Sequence, residues 1–163
     1  DEGIGSHVIK KNEAKFGTMT VTRGKEHVFL GMNISLHDNG TASIKMKEYI
    51  KEAIRVFGED IRKTATLPAR KSLFEIDDES GELSSSNREI FHSVVAKLLY
   101  ISRCGRLGIK LAIAFLCTQV SCMTETDWLK LKRVLEYLRG TLDEFLTLGA
   151  DNITMMKTWV NAS

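Results

Sequence analysis

Little in this sequence points to chemistry. The 163 residues contain one proline, three cysteines and only a small net charge of +2. Cys104, Cys117 and Cys122 are odd in number and lack metal-ligand spacing. This argues for buried or partly buried reduced thiols in an intracellular protein rather than a disulfide framework. The charge balance is too small to imply nucleic-acid binding by itself, so any basic surface has to be local. No apolar run approaches the ~18 residues that a bilayer span requires. The longest, 109–117, contains Lys110. No basic stretch followed by an apolar one marks a signal peptide. There is no internal repeat, no phosphate-binding glycine loop, no nucleophile–base pair and no His/Cys metal pattern. The chain opens Asp-Glu-Gly without an initiator Met and stops at Val160-Asn161-Ala162-Ser163, so a segment of a longer polypeptide is expected.

What is present is an ordinary globular composition, 43% hydrophobic and 27% charged, arranged around HVFLGMNISLHDNGTASIKMKEYIKEAIRVFG (27–58). Val28, Leu30, Met32 and Ile34 alternate with Phe29, Gly31, Asn33 and Ser35, the period of a half-buried strand. Asp38-Asn39-Gly40 predicts a hairpin turn, and Ala42, Ile44 and Met46 alternate on the return. The period then changes. Tyr49, Ile50, Ala53, Ile54 and Phe57 share one helical stripe that Gly58 ends. A glycine inside a strand, as Gly31 is in this pattern, marks a bulge or a close backbone approach.

Before the hairpin, residues 6–16 predict a short helix capped by Ser6 and ended by Gly17. Its stripe (Val8, Ile9, Phe16) is thin, so it has to lean on something else. Residues 18–22 read as a short β segment. Lys15, Arg23 and Lys25 could touch phosphates, although a solvated turn is favoured. After the hairpin, 59–86 reads as a long polar loop or linker whose acidic part (76–82) is solvated. Ser84, Ser85, Ser86 and Asn87 offer helix caps, with Ser86 and Glu89 as a capping box. Ile90, Phe91, Val94, Val95, Leu98, Leu99 and Ile101 make a broad buried face. A second helix, about 107–121, is apolar nearly all round and belongs in a core. Arg103, Arg106 and Lys110 cluster at the connection, either as solubilising charges or as a phosphate contact. A third helix opens at Thr124 and Asp127. It buries Trp128, Leu131, Val134 or Leu135 and Leu138, keeps Lys130, Lys132, Arg133 and Arg139 mainly outside, and closes at Gly140. Short connections make these helices an antiparallel bundle. Residues 145–148 and 155–160 read as a C-terminal strand pair. The fold class expected is α+β.

Five pieces, in this order, resemble the reverse transcriptase of copia-type (Pseudoviridae-like) retrotransposons: FGTMTVTRGKEHVFLGMNI (16–34), KEYIKEAIRVFG (47–58), TATLP (64–68), REIFHSVVAKLLYISRCGRLGIKLAIAFL (88–116) and DWLKLKRVLEYLRGTLDEFLTL (127–148). The resemblance implies a position within a longer enzyme. The chain would begin just after the palm strands that bear the catalytic aspartates, and the Tyr-x-Asp-Asp motif is absent here. Residues 1–58 would be the end of the palm, with Phe29, Leu30, Gly31 and Met32 as the primer-grip hairpin and the first thumb helix following. Residues 59–86 would be a linker, 87–140 the helical thumb and connection, and 141–163 the start of an RNase H sheet. Arg23, Lys25, Arg103, Arg106, Lys130 and Arg133 are the candidate phosphate contacts. The partners implied are template–primer RNA or DNA and the rest of the polyprotein, with no membrane.

The resemblance implies no catalytic residue, metal or cofactor in this segment, and Mg²⁺ for the parent polymerase. An active parent is expected in the cytoplasm, in a virus-like particle. Two positions depart from the family. Asn161 stands where an RNase H metal-ligating aspartate is usual and lacks its charge. Leu107-Gly108 replaces Pro-Asp and removes a helix-start signal. Both fit a decayed or repurposed copy, whose alternative role is a non-catalytic protein-interaction module.

Overall fold

The structure is a computed structural model that describes residues 2–149. The expected strand 155–160 and Asn161 lie outside the described residues. The fold is α+β: a four-stranded antiparallel sheet in sequential order beside a helical core. Helix α1 (Glu2–Phe16) begins earlier than the Ser6 cap suggests. It contributes nothing to the core: Ile4, Val8 and Phe16 stay exposed. The expected β segment at 18–22 is irregular chain.

The alternating run after His27 is not one strand. It folds back on itself as β1 (Glu26–Phe29) and β2 (Met32–Leu36), with Phe29 paired to Met32 across a two-residue turn. Leu30 has φ 48° and Gly31 φ 80°. Positive φ at both central residues is the signature of a type I′ hairpin, whose twist suits antiparallel strands. The reversal undoes the expected inward face. Val28 and Leu30 are exposed, while Met32 and Ile34 remain half-buried. The second turn is as expected. His37 and Thr41 close it by a backbone bond of 2.8 Å, and the Asn39 side chain accepts from the Thr41 amide and hydroxyl. It leads into β3 (Ala42–Lys45), antiparallel to β2.

Helix α2 (Lys47–Phe57) buries Ile50, Ala53 and Phe57 and ends at Gly58 in the left-handed conformation, as its stripe and stop signal predict. It packs on α3 (Ser85–Cys104) and α5 (Glu125–Gly140), so the first helix after the hairpin shares one core with the bundle. Ser84, not Ser86, caps α3 by accepting from the Asn87 amide. Phe91, Val94, Val95, Leu98 and Ile101 are buried. The second apolar helix is shorter than expected. After a 3-10 turn at Leu107–Ile109, α4 spans Lys110–Thr118 with no side-chain cap, in keeping with the lost start signal. Ala112, Ile113 and Leu116 face the core, but Leu107 and Leu111 face solvent, so α4 is one-sided rather than buried all round. Thr124 and Asp127 form a complete capping box on α5, and both Val134 and Leu135 are buried.

Residues 59–86 are anchored to this core. Ile61, Leu73 and Leu83 are buried, and a 3-10 turn forms at Lys71–Phe74. The acidic stretch docks on the start of α5. The Ser80 hydroxyl accepts from the Thr126 amide, the Gly81 carbonyl accepts from the Glu125 amide, and Asp77 accepts from the Thr126 hydroxyl. The last strand, β4 (Leu146–Leu148), pairs with β3, returning the chain to the hairpin sheet. Cys104 and Cys117 are half-buried, whereas Cys122 is exposed; all three are free thiols.

Candidate nucleic-acid interface

The expected grip residues form the tip of the first hairpin. Phe29 and Leu30 present exposed apolar side chains, with Val28 beside them at 79% exposure. Met32 turns inward against the core. The tip is braced from behind by two tyrosines. The Tyr100 hydroxyl, on α3, donates to the Leu30 carbonyl at 2.8 Å. Tyr49, on α2, meets Tyr100 edge to face with ring centroids 5.3 Å apart. A Cβ on Gly31 would stand 2.8 Å from Tyr49 Cδ2. The close approach that a glycine here signals is therefore to an internal ring, and its other cause is the turn itself. Burial, with Cys104 beside it, pushes the Tyr100 phenol above its ordinary value. The Lys97 ammonium lies 5.3 Å over the Tyr49 ring. The sequence named neither tyrosine as part of the tip. The only signal was that Tyr49 falls on the buried stripe of its helix.

The six basic candidates are scattered and differently employed. Arg106 is internal, 5% exposed. It donates to the Thr141 carbonyl and hydroxyl at 2.6 and 2.5 Å and pairs with Glu144 at 2.8 Å. It ties the end of α5 to α3 and is not available to a phosphate. Lys130 is also turned in, against the expectation of an outer position. It donates to the Glu75 carbonyl and to Asp127 and lies over the Phe115 ring. Lys25 is paired with Asp38 beside the second turn, and Arg23 donates to Ser6 on α1. Arg103 is exposed at the end of α3. Arg133 is half-buried, and its Nε–H has no acceptor among the described residues.

Among the described residues no three His, Cys, Asp or Glu side chains converge in a group able to hold a metal ion. Among the same residues no helix is long and apolar enough to cross a membrane. The arrangement is an exposed apolar tip on a turn that two tyrosines brace. No protein-family model matches the chain, and no solved structure matches it.

Proposed function

We propose that this chain is the primer-positioning part of a copia-type reverse transcriptase, lacking the palm carboxylates that would perform nucleotidyl transfer. The observation that carries this reading is Leu30. A large apolar residue stands exposed at positive φ, in a turn where Asn would be more comfortable, and the turn is braced by Tyr49 and Tyr100. Strain held in place by its surroundings is a feature of ligand clamps. In this reading the Phe29–Leu30 tip rests on the primer and keeps its 3′ end in line, while Arg103 and other surface cations meet phosphates without reading sequence. Mg²⁺ belongs to the parent's palm, and a cytoplasmic particle is the setting of an active parent.

The test is fluorescence anisotropy of a labelled RNA–DNA primer–template duplex at rising salt. Weak binding is expected, with log affinity falling by roughly 0.9 per phosphate neutralised for each tenfold rise in salt. No nucleotide incorporation is expected. Absence of binding at low salt overturns the reading.

A second reading, a protein-interaction module, is favoured by the inward employment of Arg106 and Lys130 and by the apolar tip. The same absence of duplex binding, with the fold intact, supports it.

A further inference from the structure

Away from the hairpin, residues 69–77 and α5 enclose a groove of about 640 Å³. That is within the few hundred to roughly 1,000 Å³ usual for small-molecule sites. Its apolar surface includes Ile76 and Leu129, both more than half exposed. Four cations line it, and two of them are satisfied. Lys130 is held by Asp127, the Glu75 carbonyl and the Phe115 ring, and Lys132 is paired with Glu59. The other two are guanidiniums. Arg70 forms no ion pair among the described residues. Arg133 has a buried Nε–H with no acceptor.

The acids of the groove do not answer that need. Both oxygens of Asp77 are in use, one on the Glu79 amide and one on the Thr126 hydroxyl. Glu136 lies one turn beyond Arg133, and Glu75 is exposed at the rim, but neither makes an ion pair with Arg133 or Arg70 among the described residues. A carboxylate that reaches water is solvated there, whereas a buried N–H without an acceptor is costly. The unmet demand in this groove is for an acceptor.

We propose that the groove binds a small organic oxyanion, an apolar body carrying a phosphate monoester or a carboxylate. The anion accepts from Arg133 and Arg70, and the body covers Ile76 and Leu129. A guanidinium offers a planar fork of donors that matches either oxyanion. Turning that fork toward the ligand needs only a side-chain rotation of the sort common on binding. The site uses neither the hairpin tip nor its braces, and it gives Arg133, one of the candidate phosphate contacts, a small-molecule ligand instead of the duplex.

The test is an NMR titration of the ¹⁵N-labelled chain with phenyl phosphate and, separately, phenylacetate. Inorganic phosphate and benzyl alcohol supply the charge and the ring alone. The expected result is saturable shifts of the amides of 72–77 and 129–133, with a dissociation constant of about 1 mM or tighter. The tighter of the two ring-bearing anions identifies the oxyanion. Each half-ligand should bind about tenfold more weakly or worse. Arg133→Ala should weaken binding by about tenfold or more. Arg70→Ala, at an exposed position that folding tolerates, should weaken it several-fold. The proposal is overturned if neither ring-bearing anion saturates these amides, if inorganic phosphate binds as well as phenyl phosphate, or if Arg70→Ala binds like the unaltered chain.

Discussion

The ring of Tyr49 fills the space that a side chain on Gly31 would need: an added Cβ would come within 2.8 Å of Tyr49 Cδ2. The hairpin tip and α2 are thus fitted to each other through one missing methyl group. Gly31→Ala meets two penalties, the ring contact and a φ of 80° that L-residues rarely adopt. We expect a loss of about 1–3 kcal/mol, read as a drop in the urea midpoint. Combining it with Tyr49→Ala relieves the contact but not the φ. The double variant should therefore lose less than the sum of the two single ones. Strict additivity would mean that the ring has no part in selecting glycine.

Arg106 and Glu144 make an unequal pair. The arginine is 5% exposed and its partner's side chain 56%. Removing Glu144 costs little, because Arg106 keeps both bonds to Thr141; Glu144→Gln should lose less than about 1 kcal/mol. Removing the guanidinium strands the Thr141 carbonyl and opens a void. Arg106→Ala should therefore lose about 2–4 kcal/mol, and Arg106→Lys should rescue only part of that, since an ammonium cannot reproduce the fork. Thermal melts of the three variants give the order. Equal losses for Glu144→Gln and Arg106→Ala would show that the ion pair, and not the Thr141 bonds, carries the stability.

Glu59 ties the loop after α2 to α5. Its carboxylate accepts from Trp128 Nε1 at 2.7 Å and pairs with Lys132 at 2.5 Å, while the Trp128 ring stacks on Phe57 at 4.3 Å. The Lys132 ammonium, helped by the indole N–H, holds the Glu59 carboxyl below its ordinary value against the opposing effect of burial. The folded pKa is the lower one. The stabilisation is therefore fully present above the ordinary carboxylate range and is lost as pH falls through the folded value. The side chain is 41% exposed, so the effect is small, under about 1 kcal/mol. Urea midpoints of the unaltered chain and Glu59→Gln should differ at neutral pH and converge on acidification. A difference that stays constant with pH would remove the charge from the account.

The helices could be read from the sequence because each repeats its apolar residues over several turns. Ile50, Ala53 and Phe57, or Leu131, Val134, Leu135 and Leu138, leave one packing solution. The sites where the reading failed lack such repetition. Leu30 disguised the first turn, because a leucine at positive φ is the reverse of the Asn or Gly that marks a type I′ hairpin. Ile61, Leu73 and Leu83 are single apolar residues in polar surroundings, and nothing local shows that each is buried. Arg106 and Lys130 were taken as surface charges by residue type. Their acceptors, Thr141 and Glu75, lie far along the chain and have no sequence signature. At the hairpin tip, the close approach at Gly31 was legible, but the turn, the exposure of Phe29 and Leu30 and the two tyrosine braces were not.

Leu30 offers the sharpest separation of stability from role. At φ 48° a leucine bears a left-handed cost of roughly 1–2 kcal/mol that Asn largely escapes. Leu30→Asn would convert the tip into an Asn-Gly turn, the favoured pair for this geometry. The Tyr100 bond is to the Leu30 carbonyl and survives the substitution. We expect the variant to be more stable by about 0.5–1 kcal/mol and to bind the primer–template duplex more weakly, because the apolar contact at the tip is gone. Opposite signs in these two measurements are what a strained residue kept for contact produces. A variant that gains stability and binds the duplex unchanged would show that the primer does not rest on Leu30.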